Sequence, residues 1–130
     1  MKLKIITHER IVFEDDAEEI VIQTKSGQLG ILKDHVPITT GLDIGVTKIK
    51  IGDRTRYFAT MGGVFQFKDN VATILTDVCE DGQDIDVTRA NAAKNRAEAR
   101  LADANAKIDT QRAQAALARA MARLKAALNK

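Results

Sequence analysis

The hydrophobic pattern of this chain changes period once, near Asp86. Upstream, apolar and polar residues alternate in short runs broken by Gly, Asp and Asn, the period-two signature of half-buried strands. Leu3-Lys4-Ile5-Ile6-Thr7 and Arg10-Ile11-Val12-Phe13 predict two short strands separated by His8-Glu9. Residues 17–23 set Ile20 and Ile22 inward against Glu19, Val21 and Gln23. Lys25-Ser26-Gly27-Gln28 is turn chemistry, with Gly27 free to take positive φ. Gly30-Ile31-Leu32 follows, and Asp34-His35-Val36-Pro37 breaks the pattern. Residues 47–51 and 54–60 flank Gly52-Asp53 as a hairpin. Gly62-Gly63 then precedes a second hairpin, in which residues 64–68 and 71–76 are joined by Asp69-Asn70. Strands at such spacing predict a β-sandwich or flattened barrel, with a core resting mainly on Val, Ile and Leu.

Downstream the period becomes helical. Residues 86–130 contain no Gly and no Pro, and Ala dominates with Arg and Lys at regular intervals. After the polar linker Asp81-Gly82-Gln83-Asp84, Asp86 is placed to cap a helix over Val87–Ala102, with a seam of Ala90, Ala93 or Ala97, and Leu101. A turn over 103–107 leads to a second helix capped by Asp109 or Thr110. Its seam is Ala113, Leu117, Ala120, Leu124 and Ala127, at alternating spacings of four and three. The short turn makes the helices antiparallel neighbours. The predicted fold is therefore α+β: a β-sandwich body over residues 1–84 and an antiparallel two-helix hairpin over 85–130. Alanine seams bury little area, so the hairpin is weakly held, yet Ala keeps each helix stable when undocked.

Charge adds a second asymmetry. The formal net charge of +2 divides into 10 Lys and Arg against 14 Asp and Glu over residues 1–84, and 10 against 4 over 85–130. An acidic body with a basic arm suggests an anionic partner for the arm: acidic protein, nucleotide phosphate or nucleic acid. The run of apolar residues needed for a membrane span is missing, as is a signal-peptide core at the N-terminus, which predicts a cytosolic chain unless a partner holds it at a membrane. The single Cys79 excludes an internal disulfide and a cysteine metal cage. Its strand-like setting reads as a small half-buried hydrophobe.

Catalytic chemistry finds little support. His35 has no Ser or Cys with a suitable base beside it, and its reading is a loop-shaping or neighbour-contacting residue. The Gly62-Gly63 pair lacks the Gly-Lys-Ser/Thr that would make a phosphate-cradling loop. An RNA-binding barrel with a basic hairpin is an alternative, opposed by the acidic body and by few aromatics for base stacking.

The order of body, acidic linker and Ala-rich hairpin resembles the epsilon subunit of bacterial and plastid F-type ATP synthases. Residues Gly27-Gln28-Leu29-Gly30-Ile31-Leu32-Lys33-Asp34-His35-Val36-Pro37 are similar to that family's loop, in which a Gly-Ile-Leu run leads to His and Pro. Gly62-Gly63-Val64-Phe65, then Asp69-Asn70-Val71-Ala72-Thr73-Ile74-Leu75-Thr76-Asp77, are similar to its Gly-Gly hairpin and last body strand. Asp84-Ile85-Asp86-Val87-Thr88-Arg89-Ala90 opens the hairpin as the family does. The likeness spans nearly the whole chain and rests on the order of these segments. Two loop positions depart: Lys33-Asp34 stands where Pro-Asn or Pro-Gly is common, and His8 where Pro often stands.

The resemblance implies a non-catalytic rotor-stalk subunit of a proton-translocating synthase, peripheral to the cytoplasmic face of a bacterial plasma membrane or to a thylakoid, and monomeric when isolated. Its body is expected to clamp the gamma subunit and touch the c-ring, with Gln28 and His35 on that side. Its tail is expected to insert among the alpha and beta subunits and restrain ATP hydrolysis, or else to be a structural adaptor that never inserts. No cofactor is required. Some family members bind ATP as a regulatory ligand in the contracted hairpin. The matching residues here are Glu80, Ile85, Asp86, Arg89, Ala90, Arg96, Arg119 and Arg123. Arg89 and Arg96, seven apart, share a helix face, as do Arg119 and Arg123, four apart. Antiparallel packing would converge them on a polyphosphate, with Asp86 an acceptor for the adenine amino group.

Overall fold

The computed structural model describes residues 1–103 and 109–129. Eight strands come first among them: β1 (Lys2–Ile6), β2 (Ile11–Asp16), β3 (Glu19–Thr24), β4 (Gly27–Leu32), β5 (Ile38–Ile51), β6 (Arg54–Lys68), β7 (Val71–Leu75) and β8 (Cys79–Asp81). A 3₁₀ turn over Gly82–Asp84 leads to α1 (Val87–Ala102) and α2 (Thr110–Leu128). Strand order is β2-β1-β7-β6-β5-β3-β4, with β8 paired to β6. The β1–β7 pair is parallel and the others are antiparallel.

The two layers of this β-sandwich share their longest strands. β5 and β6 keep one register from Ile38↔Phe67 to Ile51↔Arg54. β7 pairs with the later half of β6, through Val64↔Leu75, and β8 with the earlier half, through Thr60↔Cys79. Strands β7 and β8 thus act as one strand interrupted over 76–78, bridged by Met61 N donating to Val78 O at 3.1 Å. The corner lies at Gly62 and Gly63, whose φ of 78° and 117° suits glycine alone. A Cβ on Gly63 would meet Leu75 O at 2.1 Å.

This differs from the sequence expectation, in which Gly62-Gly63 separates two hairpins. The glycines bend one continuous strand while its pairing continues, as bulges and glycine kinks do at sheet corners. β5 likewise starts at Ile38, well before residue 47, because Gly41 and Gly45 blur its alternation. The core also differs. Phe58, Phe65 and Phe67 are fully buried with Leu3, Ile5, Ile20, Ile22, Ile31, Ile49 and Ile74, whereas none of the valines among the described residues is buried. Val64, Val71 and Val78 stand on the outside.

Both helices form as their caps predict. Asp86 Oδ1 accepts from Arg89 N at 3.1 Å, and Asp109 Oδ1 from Arg112 N at 3.1 Å. The turn expected over 103–107 lies, apart from Asp103, outside the described residues. The hairpin is folded back on the body: α2 packs on β5 and β6, and α1 packs on α2. Period two along β6 explains the arrangement. Phe58 points into the sandwich, while Tyr57, Ala59 and Met61 point out and join Ala122, Leu124, Ala126 and Ala127 in a second apolar cluster with Ala90 and Ile85. Ala122 and Ala126 lie outside the predicted seam, so α2 buries two faces. Among the described residues no helix is long and apolar enough to cross a membrane.

Candidate functional site

Where the linker leaves the body and α1 begins, a cleft of about 400 Å³ is lined by Glu80, Asp84, Ile85, Asp86, Arg89, Ala90, Ala93, Arg96 and Arg123. Its three walls come from the linker, the start of α1 and the end of α2. β8 and the 3₁₀ turn supply Glu80 and Asp84. The start of α1 supplies Asp86, Arg89, Ala90, Ala93 and Arg96. Arg123 reaches in from α2, because the antiparallel packing sets the end of α2 beside the start of α1.

Seven of the eight residues singled out from the sequence line this one cleft, namely Glu80, Ile85, Asp86, Arg89, Ala90, Arg96 and Arg123. Arg119 does not line it; it sits half-buried one turn earlier on α2. Asp84 and Ala93 line it without having been singled out. Ala93 was legible, since Arg89, Ala93 and Arg96 at i, i+4 and i+7 make a single helix face. Ala90 and Ala93 keep the floor low between the two arginines.

Electrostatics divides the cleft into paired and available groups. Arg123 donates through Nε at 3.1 Å and Nη2 at 2.9 Å, both to Glu80 Oε1. Asp86 spends Oδ1 on its cap, and its other oxygen takes no hydrogen bond among the described residues. The exposed Arg89 and Arg96 side chains make no salt bridge among those residues. Glu80, Asp84 and Asp86 also line the cleft, so with Arg123 paired to Glu80 the groups left to meet an anion are Arg89, Arg96 and the positive end of α1.

Gln28 and His35 are not on one loop. Gln28 is exposed on β4 next to the β3–β4 turn, whereas His35 follows the opposite end of that strand. His35 Nδ1 donates to Val36 O at 2.7 Å, and its ring meets Phe67 edge-on at 6.1 Å. Asp34, at the departure from Pro-Asn or Pro-Gly, adopts φ 64°. There its N–H donates to Asn70 Oδ1 at 2.8 Å and its Oδ1 accepts from Asn70 Nδ2 at 2.9 Å. Asp thus fills a left-handed position by clipping this loop to the β6–β7 turn.

Comparison with known proteins matches both parts. A family model described as "ATP synthase, Delta/Epsilon chain, beta-sandwich domain" matches residues 1–82. One described as "ATP synthase, Delta/Epsilon chain, long alpha-helix domain" matches residues 83–127. The chain belongs to the ATP synthase delta/epsilon family. It is similar to the chloroplastic ATP synthase epsilon chains of Gossypium barbadense, 40% identical, and Nicotiana tabacum, 39% identical, over 82% of this chain and 80% of theirs. The chain is thus a non-catalytic stalk subunit. A chain in the Euglena gracilis mitochondrial ATP synthase structure (OSCP/F1/c-ring) has TM-score 0.83 at 22% identity, covering 97% of this chain and 79% of that one. A chain of the Tetrahymena thermophila central stalk and c-ring has TM-score 0.57 at 17% identity, covering 99% and 94%. At those identities the two structures establish likeness of fold.

Proposed function

We propose that this epsilon-type chain is a rotor-stalk subunit whose tail inhibits ATP hydrolysis when it undocks and extends, and whose contracted form binds ATP in the cleft between linker and hairpin. The observation that supports this reading is that seven of the eight residues implied by the family resemblance line that single cleft. Arg89, Arg96 and Arg123 would take the phosphates. Asp86 would accept from the adenine amino group through its unused oxygen, and Ala90 would leave room for the base. Glu80 holds the linker to α2 through Arg123 and shares that guanidinium with a bound phosphate. ATP then stabilises the docked tail by its differential affinity for that state.

The body would meet its partners through two surfaces. One is the apolar row that sheet register builds on the outer face, where Ile6 pairs with Ile11 and Leu75, and Leu75 pairs with Val64. This row suits a helical partner such as gamma. The other is the end carrying the Asp34–Asn70 clip, with Leu32, Val36 and Val71 exposed, facing the c-ring. These contacts would seat the chain at the cytoplasmic or stromal side of the membrane, with the freed basic tail directed at the alpha and beta subunits. Truncation after Asp84 in the reconstituted complex tests the inhibitory role. Faster ATP hydrolysis supports it, and unchanged hydrolysis leaves a structural adaptor.

A further inference from the structure

Strand β8 is three residues long and alternates its faces. Cys79 packs against the sandwich core and Glu80 turns out to meet Arg123 of α2. Asp81 turns back to the body, and both of its carboxylate oxygens are engaged. Oδ2 accepts from Arg56 Nη2, and Oδ1 accepts from Gln83 N at 3.0 Å, capping the 3₁₀ turn.

Arg56 is itself held by aromatic rings of the body. Its guanidinium carbon lies 5.6 Å from the Phe13 ring centre and 5.3 Å from that of Phe58, and the two rings meet edge-on at 5.5 Å. Its Nε is buried without a hydrogen-bond partner among the described residues. The side chain keeps 26% exposure, and the ring faces and the Asp81 carboxylate compensate for the part of this cation withdrawn from water. Arg56 does not line the cleft, yet it grips the residue between Glu80 and the 3₁₀ turn. Within five residues of Asp81 come Asp84, Ile85 and Asp86 of the cleft, and Gly82, whose backbone lies against the Ala126 carbonyl.

We infer that Arg56 is a positioning residue. Through Asp81 it fixes β8 and the 3₁₀ turn where Glu80 meets Arg123, where Gly82 seats α2, and where Asp84, Ile85 and Asp86 complete the cleft. Its effect on nucleotide rests on the function proposed above; its effect on the linker and the docked tail does not.

Cys79, the single cysteine of the chain, is a built-in reporter two residues from Asp81, with its Sγ 3.9 Å from Thr60 Oγ1. The rate of Cys79 labelling by a neutral disulfide reagent is measured on the full chain without nucleotide. ATP titration and thermal melting follow on the same samples, for wild type, Arg56→Gln and Arg56→Lys. In Arg56→Gln the inference predicts labelling about tenfold faster and ATP affinity about tenfold weaker. Arg56→Lys falls between, because it keeps the charge and loses the planar fork. Should Arg56→Gln not fold, Arg56→Lys decides by the same two readouts. Unchanged labelling and unchanged ATP affinity in a folded variant overturn the inference, as does a lower melting midpoint with neither readout altered. Faster labelling in a series where even the wild type binds no ATP supports the positioning role and overturns the nucleotide reading instead.

Discussion

A Cβ added to Gly82 would lie 2.3 Å from the carbonyl oxygen of Ala126 and 3.0 Å from that of Tyr57. The linker backbone is thus wedged between β6 and the last turns of α2, and only a residue without a side chain fits. Gly82→Ala is expected to push α2 off the sheet, at a cost of about 1–3 kcal/mol for overpacking against backbone. Hydrogen exchange should show the amides of the last two turns of α2 losing about tenfold or more of their protection. Those of β1 and β7 should be unchanged.

Gly63→Ala probes the other close approach and has a different outcome. There the added Cβ meets Leu75 O at 2.1 Å, and φ is 117°, so strain and contact add. The corner belongs to the sandwich and not to the tail. The whole body should lose about 3 kcal/mol or more and melt at a clearly lower temperature.

The Cys79 thiol is pushed up to about 11, first by burial, with Asp81 and Glu80 adding to the shift and a Thr60 hydrogen bond opposing it. Alkylation of the folded chain should keep rising about tenfold per pH unit past the ordinary thiol value of 9.0, where an exposed thiol levels off. The sign for stability follows from linkage. The unfolded chain ionises this thiol first, so the contribution is complete below pH 9 and is lost as pH rises towards 11. A denaturation series across that window checks it.

Much of this architecture is legible in the sequence. The two helices, their Asp86 and Asp109 caps and the alanine seams follow from local rules about capping and period. The candidate residues come from the family resemblance, and helical spacing adds that Arg89 and Arg96 share one face to which the hairpin can return an arginine of α2. What local rules miss depends on tertiary placement. The corner at Gly62-Gly63 looks like punctuation because glycine signals a turn and a strand kink alike. Arg119 and Arg123 are equivalent by spacing, yet only Arg123 lies far enough along α2 to reach the linker. Arg56 reads as one more cation of a hairpin, since its partners Phe13, Phe58 and Asp81 are distant in sequence. Ala122 and Ala126 fall outside the seam because the second face of α2 exists only once the sheet is beneath it.

The central claim is that the contracted hairpin holds ATP in the cleft bounded by Arg89, Arg96 and Arg123. Calorimetric titration of the full chain with ATP, beside Arg123→Ala and Arg119→Ala, tests it most directly. The account predicts saturable binding by the wild type, weakened about tenfold or more by Arg123→Ala through loss of a charge-assisted contact, and altered far less by Arg119→Ala. No binding up to millimolar ATP, or equal losses in the two variants, would contradict it.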